Sequence, residues 1–181
     1  MVYASTVDIQ TTFFYFFVKI MALSIGQPAP DFTLKTKTSD GVNDVKLSDY
    51  RGKNVVLLFY PLAFSKTCTE EMCSVSGGLE QYTALNAQVF GISVDSPFTQ
   101  EVFAEQNGIA FPQLSDFNRT ASRDYGSLYD VLMPGVLDFQ GVSKRSAFVI
   151  DKEGIIRHIE ILEKLGLPNF DAIKTVLQSL N

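Results

Sequence analysis

Short apolar runs alternate with polar, glycine-bearing connections along this chain, and the length of each run separates strands from helices. Asn54 to Tyr60 (Asn-Val-Val-Leu-Leu-Phe-Tyr) is continuous, rich in strand formers and short, as a strand buried on both faces should be. Val89 to Val94 is a second such run. The segment after it, Pro97 to Gln106, places Phe98, Val102 and Phe103 at helical spacing before Gly108. Phe32 to Leu34 and Val45 to Leu47 read as two edge strands, with the polar stretch Lys35 to Asp44 as their hairpin connection. Ala147 to Ile150 and Ile155 to Ile161 flank Asp151-Lys152-Glu153-Gly154 and predict a second hairpin. Phe170, Ile173, Val176, Leu177 and Leu180 then line one face of a closing amphipathic helix. Strands alternating with helices, followed by a hairpin and a helix, predict an α/β protein: a mixed central sheet with helices on both faces.

Composition narrows the class. With 181 residues, 46% hydrophobic and 19% charged, the chain suits one globular domain with a sizeable core and not a disordered or coiled-coil protein. The net charge of −5, with no clustered Lys and Arg, argues against nucleic acid as a partner. Two Cys are too few for a disulfide scaffold, and with a single His they cannot close a four-ligand zinc site without carboxylates.

Residues 1–20 differ from the rest in composition, holding Tyr3, Phe13, Phe14, Tyr15, Phe16 and Phe17 out of fifteen Phe and seven Tyr in the chain. Lys19 ends the apolar run well short of the ~20 residues a bilayer span needs, so stable membrane insertion is not expected. A secretory signal would carry its basic residues before the apolar run, whereas here only Asp8 precedes it and the Lys follows. Met21 opens a stretch resembling an ordinary N-terminus. The expected organisation is therefore an aromatic-rich extension over 1–20 and one domain over 21–181, in a cytoplasmic protein. The extension reads as an upstream start, a membrane-surface contact or a hydrophobic arm against a partner subunit.

The chemistry converges on Tyr60 to Cys73. A buried strand runs into Pro61, hydroxyl-bearing residues follow, and a helix begins near Ser65 or Thr67, with Thr67 and Glu70 spaced as a capping box. Either start puts Cys68 in the first turn. A free thiol with a pKa of ~8.5 is only about 3% ionised at pH 7, and the thiolate is the nucleophile. A helix N-terminus favours the anion through its partial positive charge and unpaired N–H groups. At 100° per residue, Cys68 falls at the centre of the apolar stripe of Met72, Val75, Leu79 and Tyr82, so it should face the sheet. Cys73 should point away and be more exposed. Their Cα atoms in a regular helix would be about 8.6 Å apart, beyond the ~7 Å a disulfide tolerates, so bonding them requires the helix to unwind. Gly77 and Gly78 weaken the helix just beyond.

Pro61, Ser65 and Cys68 match the Pro-x-x-x-Thr/Ser-x-x-Cys signature of peroxiredoxins, the alkyl hydroperoxide reductase and thiol-specific antioxidant group, which this chain resembles. Further matches run through Gly26 to Phe32, Leu47 to Lys53, Gly91 to Ser96, Tyr125-Gly126 and Arg145 to Asp151. The resemblance implies an elaborated thioredoxin fold and a thiol-dependent peroxidase acting on hydrogen peroxide and organic hydroperoxides. It implies Cys68 as the peroxidatic cysteine, oxidised to a sulfenic acid, with Ser65 bonding the peroxide and Arg145 stabilising thiolate and oxygens. It also implies Pro61 as a shield for the sulfur and Glu71 as a residue orienting Arg145. No metal or organic cofactor is expected; thioredoxin or a similar thiol is the expected reductant, and a homodimer a possible assembly.

The interval from Cys68 to Cys73 resembles the bacterioferritin-comigratory, or Q-type, subgroup, in which the second cysteine resolves the first within one chain. Pro61-Leu62-Ala63-Phe64 and the tail instead resemble alkyl hydroperoxide reductase E proteins, which can use an external thiol. Both routes stay open, as does a redox-sensing protein on the same fold. A thioredoxin-type exchanger would need two cysteines separated by two residues, and a Cys–His hydrolase would rest on the distant His158 alone.

Overall fold

The computed structural model describes residues 23–164 and 166–181; the aromatic segment over 1–20 lies outside them. Among the described residues, seven strands form one mixed sheet in the order β2-β1-β5-β4-β3-β6-β7. The strands are β1 (Thr33–Thr38), β2 (Gly41–Lys46), β3 (Asn54–Phe59), β4 (Ala87–Ser93), β5 (Gln113–Ser115), β6 (Ser146–Ile150) and β7 (Ile156–Ile161). The helices are α1 (Lys66–Gly77), α2 (Leu79–Ala84), α3 (Pro97–Asn107), α4 (Thr120–Asp124) and α5 (Phe170–Ser179).

The run Asn54 to Tyr60 forms the centre of the sheet. β3 is parallel to β4 and antiparallel to β6, and every residue of it is buried. Alternation divides the core between the two faces. Val56, Leu58, Tyr60, Val89, Ala147 and Val149 meet Met72, Val75, Tyr82, Phe103, Ile173 and Leu177 of α1, α2, α3 and α5. On the other face, Val55, Leu57, Phe59, Phe90, Phe148 and Ile150 pack with Leu47, Ala121 and Tyr125.

Local chemistry sets several boundaries. Ser96 caps α3 by accepting from the Thr99 amide, Pro97 opens the helix, and Gly108 closes it at φ 62°, where a side chain would be strained. Asn169 caps α5 through the Ala172 amide.

Three expectations are corrected. Most of Lys35 to Asp44 is ladder and not connection: β1 and β2 pair from Thr33 with Lys46 to Thr38 with Gly41, leaving Ser39 and Asp40 as the turn. β2 is mostly exposed and lies at the sheet margin, so no apolar alternation marks it, and β-branched Thr and Val residues carry the strands instead. β1 is not an edge strand, since Lys35 also pairs with Ser115 of β5, a strand too short to show a period. The helix after the signature is not continuous through Tyr82; it breaks at Gly78, yet Cys68, Met72, Val75 and Tyr82 still enter one core cluster.

Asp151 pins the β6–β7 turn. Its Oδ1 accepts from the Glu153 and Ile155 amides at 3.0 and 2.8 Å, and its Oδ2 from Arg157 Nε at 2.5 Å. Burial pushes this carboxyl up, but the amide bonds and Arg157 outweigh it and hold it below the ordinary 3.8. A depressed native pKa means stability that is present above the unfolded value and is lost as pH falls through the folded one. Asp151→Ala should cost about 2–3 kcal/mol in urea unfolding at neutral pH. Asp151→Asn should lack the part of the wild-type stability loss that sets in below 3.8. Coincident acid profiles for wild type and Asp151→Asn would refute this account.

Candidate active site

The site forms where β3 ends. The Tyr60 amide still bonds Ile92 O at 2.9 Å, so the sheet runs up to Pro61, and the loop 61–65, half-buried except for the exposed Phe64, turns the chain into α1. Tyr60 is completely buried, which raises its phenol far above the ordinary value and keeps it neutral. Phe64 adopts a left-handed φ of 64°, unusual for a residue with a bulky side chain, and its ring packs edge-on against Phe103 with centroids 5.2 Å apart.

Ser65 stands at the N-cap, but its hydroxyl does not cap the helix as the sequence suggested. It turns back and donates to Leu62 O at 2.9 Å. The capping box of Thr67 and Glu70 does not form either, because both residues lie inside a helix that begins at Lys66. Cys68 is the third residue of α1, within the turn whose N–H groups have no intrahelical acceptor. Its side chain faces the sheet as expected and is 1% exposed.

Arg145 reaches Cys68 through the sheet. β6 runs antiparallel to β3 with Ser146 opposite Phe59, so the residue before β6 falls beside the loop that follows β3. Arg145 Nη2 donates to Cys68 Sγ at 3.2 Å, while Nη1 donates to Glu71 Oε2. Glu71 is three residues beyond Cys68 on the same side of α1, and both members of the ion pair are buried. Removing two charges from water is costly unless geometry compensates, and here one guanidinium fork engages the carboxylate and the sulfur together. The backbone around Arg145 is also held: Leu162 N donates to Arg145 O at 2.9 Å, and Ser146 Oγ pairs with Ser127 Oγ at 2.7 Å.

Cys68 and Glu71 are therefore both in direct contact with Arg145, with Pro61 and Ser65 in the adjoining loop. Cys73 is not part of that contact. It is half-buried on another side of α1, where its thiol lies 3.5 Å from Asn107 O at the end of α3; both cysteines are free thiols. His158 sits on β7 with Nε2 3.7 Å from Glu160. Among the described residues no cluster of three His, Cys, Asp or Glu could hold a metal ion, and no helix is long and apolar enough to cross a membrane. Asp95 went unremarked in the sequence except as part of Gly91 to Ser96, yet its Oδ2 accepts from the Ala63 amide at 2.8 Å. Only its place just past the end of β4 could have drawn attention to it.

A thioredoxin-like sheet that delivers a buried, arginine-bonded thiol to the first turn of a helix defines a class of thiol enzyme. The AhpC/TSA family matches residues 25–159. Peroxiredoxin-2 of Cricetulus griseus is 39% identical over 144 residues, 76% of this chain and 69% of that protein. The mitochondrial thioredoxin-dependent peroxide reductase of Drosophila melanogaster is 38% identical over 149 residues, 78% of this chain and 60% of that one. The crystal structure of peroxidoxin BcpB from Mycobacterium tuberculosis superposes with a TM-score of 0.75 at 28% identity, covering 88% of this chain and 99% of that one. The chain belongs to the AhpC/TSA family of peroxiredoxins. It is a thiol-dependent peroxidase.

Proposed function

We propose that Cys68 is the peroxidatic cysteine, that Arg145, Glu71, Ser65 and Pro61 complete its site, and that Cys73 is the resolving thiol. The observation that carries this reading is the 3.2 Å contact between Arg145 Nη2 and Cys68 Sγ in the first turn of α1.

The thiolate attacks the terminal oxygen of hydrogen peroxide or an organic hydroperoxide. An S–O bond forms as the O–O bond breaks, and both electrons of the broken bond leave with the distal oxygen, which takes a proton and departs as water or an alcohol. Cys68 becomes a sulfenic acid. Negative charge moves from sulfur to the leaving oxygen, and Arg145 is a fixed donor that can follow it. Glu71 holds the other arm of the guanidinium. Ser65 meets the peroxide, and Pro61, which has no N–H, shields the sulfur without offering a competing donor. The thiolate of Cys73 then attacks the sulfenic sulfur; the S–S bond forms and hydroxide leaves, protonated to water. Thioredoxin or a similar dithiol reduces the disulfide. No step calls for a metal or an organic cofactor.

The resolving step requires α1 to unwind. It breaks the Cys73 contact with Asn107 and the bonds of Ser76 Oγ to Gly108 O and the Ala110 amide. The break at Gly78 supports such a motion. A one-cysteine route, resolved by an external thiol, is favoured by a different observation: both cysteines lie in an intact helix on different sides. A reducing compartment such as the cytoplasm suits the free thiols. Phe64 and Phe117 on loops and Phe98 in the first turn of α3, all exposed around this end of the sheet, support a homodimer covering that face.

Treating the reduced protein with one equivalent of peroxide and mapping its thiols by mass spectrometry tests the resolving step. The expected product is a Cys68–Cys73 disulfide. A stable sulfenic or sulfinic acid on Cys68 with Cys73 still alkylatable would overturn the part given to Cys73. Sustained turnover with excess reductant is expected of the enzyme, whereas a redox sensor would react once.

A further inference from the structure

We infer that Asp95 is a positioning residue for peroxide reduction, acting on the Ser65 hydroxyl through the single peptide unit between Leu62 and Ala63. The inference rests on the part proposed above for Ser65.

A peptide unit is planar and trans, so fixing its N–H also fixes the direction of its C=O. At this unit the two ends have different partners. The Ala63 N–H donates to Asp95 Oδ2 at 2.8 Å, and the Leu62 carbonyl accepts from Ser65 Oγ at 2.9 Å. A hydrogen bond to a carboxylate is roughly twice as strong as a neutral one, so Asp95 orients the plane firmly. With its only proton committed to Leu62 O, the Ser65 hydroxyl presents lone pairs to the substrate. It therefore stands as the acceptor for the O–H of a hydroperoxide and not as a donor.

Asp95 is itself anchored from several elements. Ser93 Oγ donates to the same Oδ2 at 2.8 Å, and Gln100 Nε2 of α3 donates to Ser93 Oγ and to Leu114 O, both at 2.9 Å. Ser115 Oγ of β5 donates to Asp95 O at 2.7 Å. Ser93 and Gln100 are fully buried. The ends of β4 and β5 and the first turns of α3 thus fix a carboxylate against the loop that carries Ser65. Between Ala63 and Ser65 lies Phe64 at φ 64°, a conformation that needs such external support to persist.

The test is a double-mutant cycle on the second-order rate of Cys68 oxidation by hydrogen peroxide, in protein carrying Cys73→Ser so that one thiol reports. Ser65→Ala and Asp95→Ala should each slow oxidation about tenfold, the worth of one hydrogen bond. The double variant should be no more than about twofold slower than Ser65→Ala, because residues acting through one group are not additive. Asp95→Asn, whose carbonyl oxygen can accept from both Ala63 and Ser93, should recover most of the rate. Alkylation of Cys68 by iodoacetamide should be unchanged throughout, since that reagent makes no use of the Ser65 lone pairs. Should Asp95→Ala not fold, Asp95→Ser, too short to reach the amide, takes its place. Additive losses, an equal fall in alkylation, or Asp95→Asn as slow as Asp95→Ala would overturn the positioning role. Ser65→Ala oxidised at the parent rate would instead remove the part given to Ser65, and the inference with it.

Discussion

Cys68→Ser is expected to reduce peroxide consumption by at least about a thousandfold while leaving the fold intact. A serine hydroxyl is not ionised at neutral pH, and the thiolate is the species that displaces oxygen from oxygen. The substitution is close to isosteric, and a serine Oγ can accept from Arg145 Nη2 as the sulfur does, so the buried site keeps its polar partner. Peroxide consumption with an excess of dithiol reads the loss, and a thermal melt reads the fold. A wild-type rate in the variant would exclude Cys68 as the nucleophile and leave Cys73, half-buried and away from Arg145, to carry the reaction.

Arg145→Gln should lower the rate by about 10²–10³-fold, the usual loss when one fixed donor to developing negative charge is removed. It should also destabilise the protein, because Glu71 is 0% exposed and would be left without its counter-charge. Breaking a buried ion pair from one side costs about 3–5 kcal/mol. These two effects can be separated. Replacing both members with apolar residues, Arg145→Met with Glu71→Leu, removes the unpaired charge, so stability should return towards wild type while the peroxidase rate stays low. Urea unfolding and peroxide consumption, measured on both variants, check this. If the paired replacement recovered activity along with stability, Arg145 would be a structural cation only.

These expectations differ in how far they could be read from the chain. Cys68 was legible because helix position, apolar stripe and flanking Pro61 and Ser65 all converge within a few residues, where 100° per residue is enough to say which way a side chain faces. The buried strands Asn54 to Phe59 and Ala87 to Ser93 were legible for the same reason, since a continuous apolar run in water has to be covered. β2 and β5 were not. One is solvated and the other has three residues, so neither writes its period into the sequence.

The Ser65 hydroxyl shows where local rules stop. By spacing it could cap α1, and the capping preference is real. The Leu62 carbonyl, whose peptide unit Asp95 holds from the end of another strand, accepts its hydrogen bond instead.

The place of Cys68 in the first turn of its helix, facing the sheet, and the two-faced core follow from local pattern, because periodicity acts over one or two turns of chain. The partnership of Cys68 with Arg145, 77 residues away, depends on the antiparallel register that sets Ser146 opposite Phe59. The hold of Asp95 on the signature loop likewise depends on β4 lying beside β3. Hydrogen-bonded pairing between strands distant in the chain brings those groups together, and no local period encodes it.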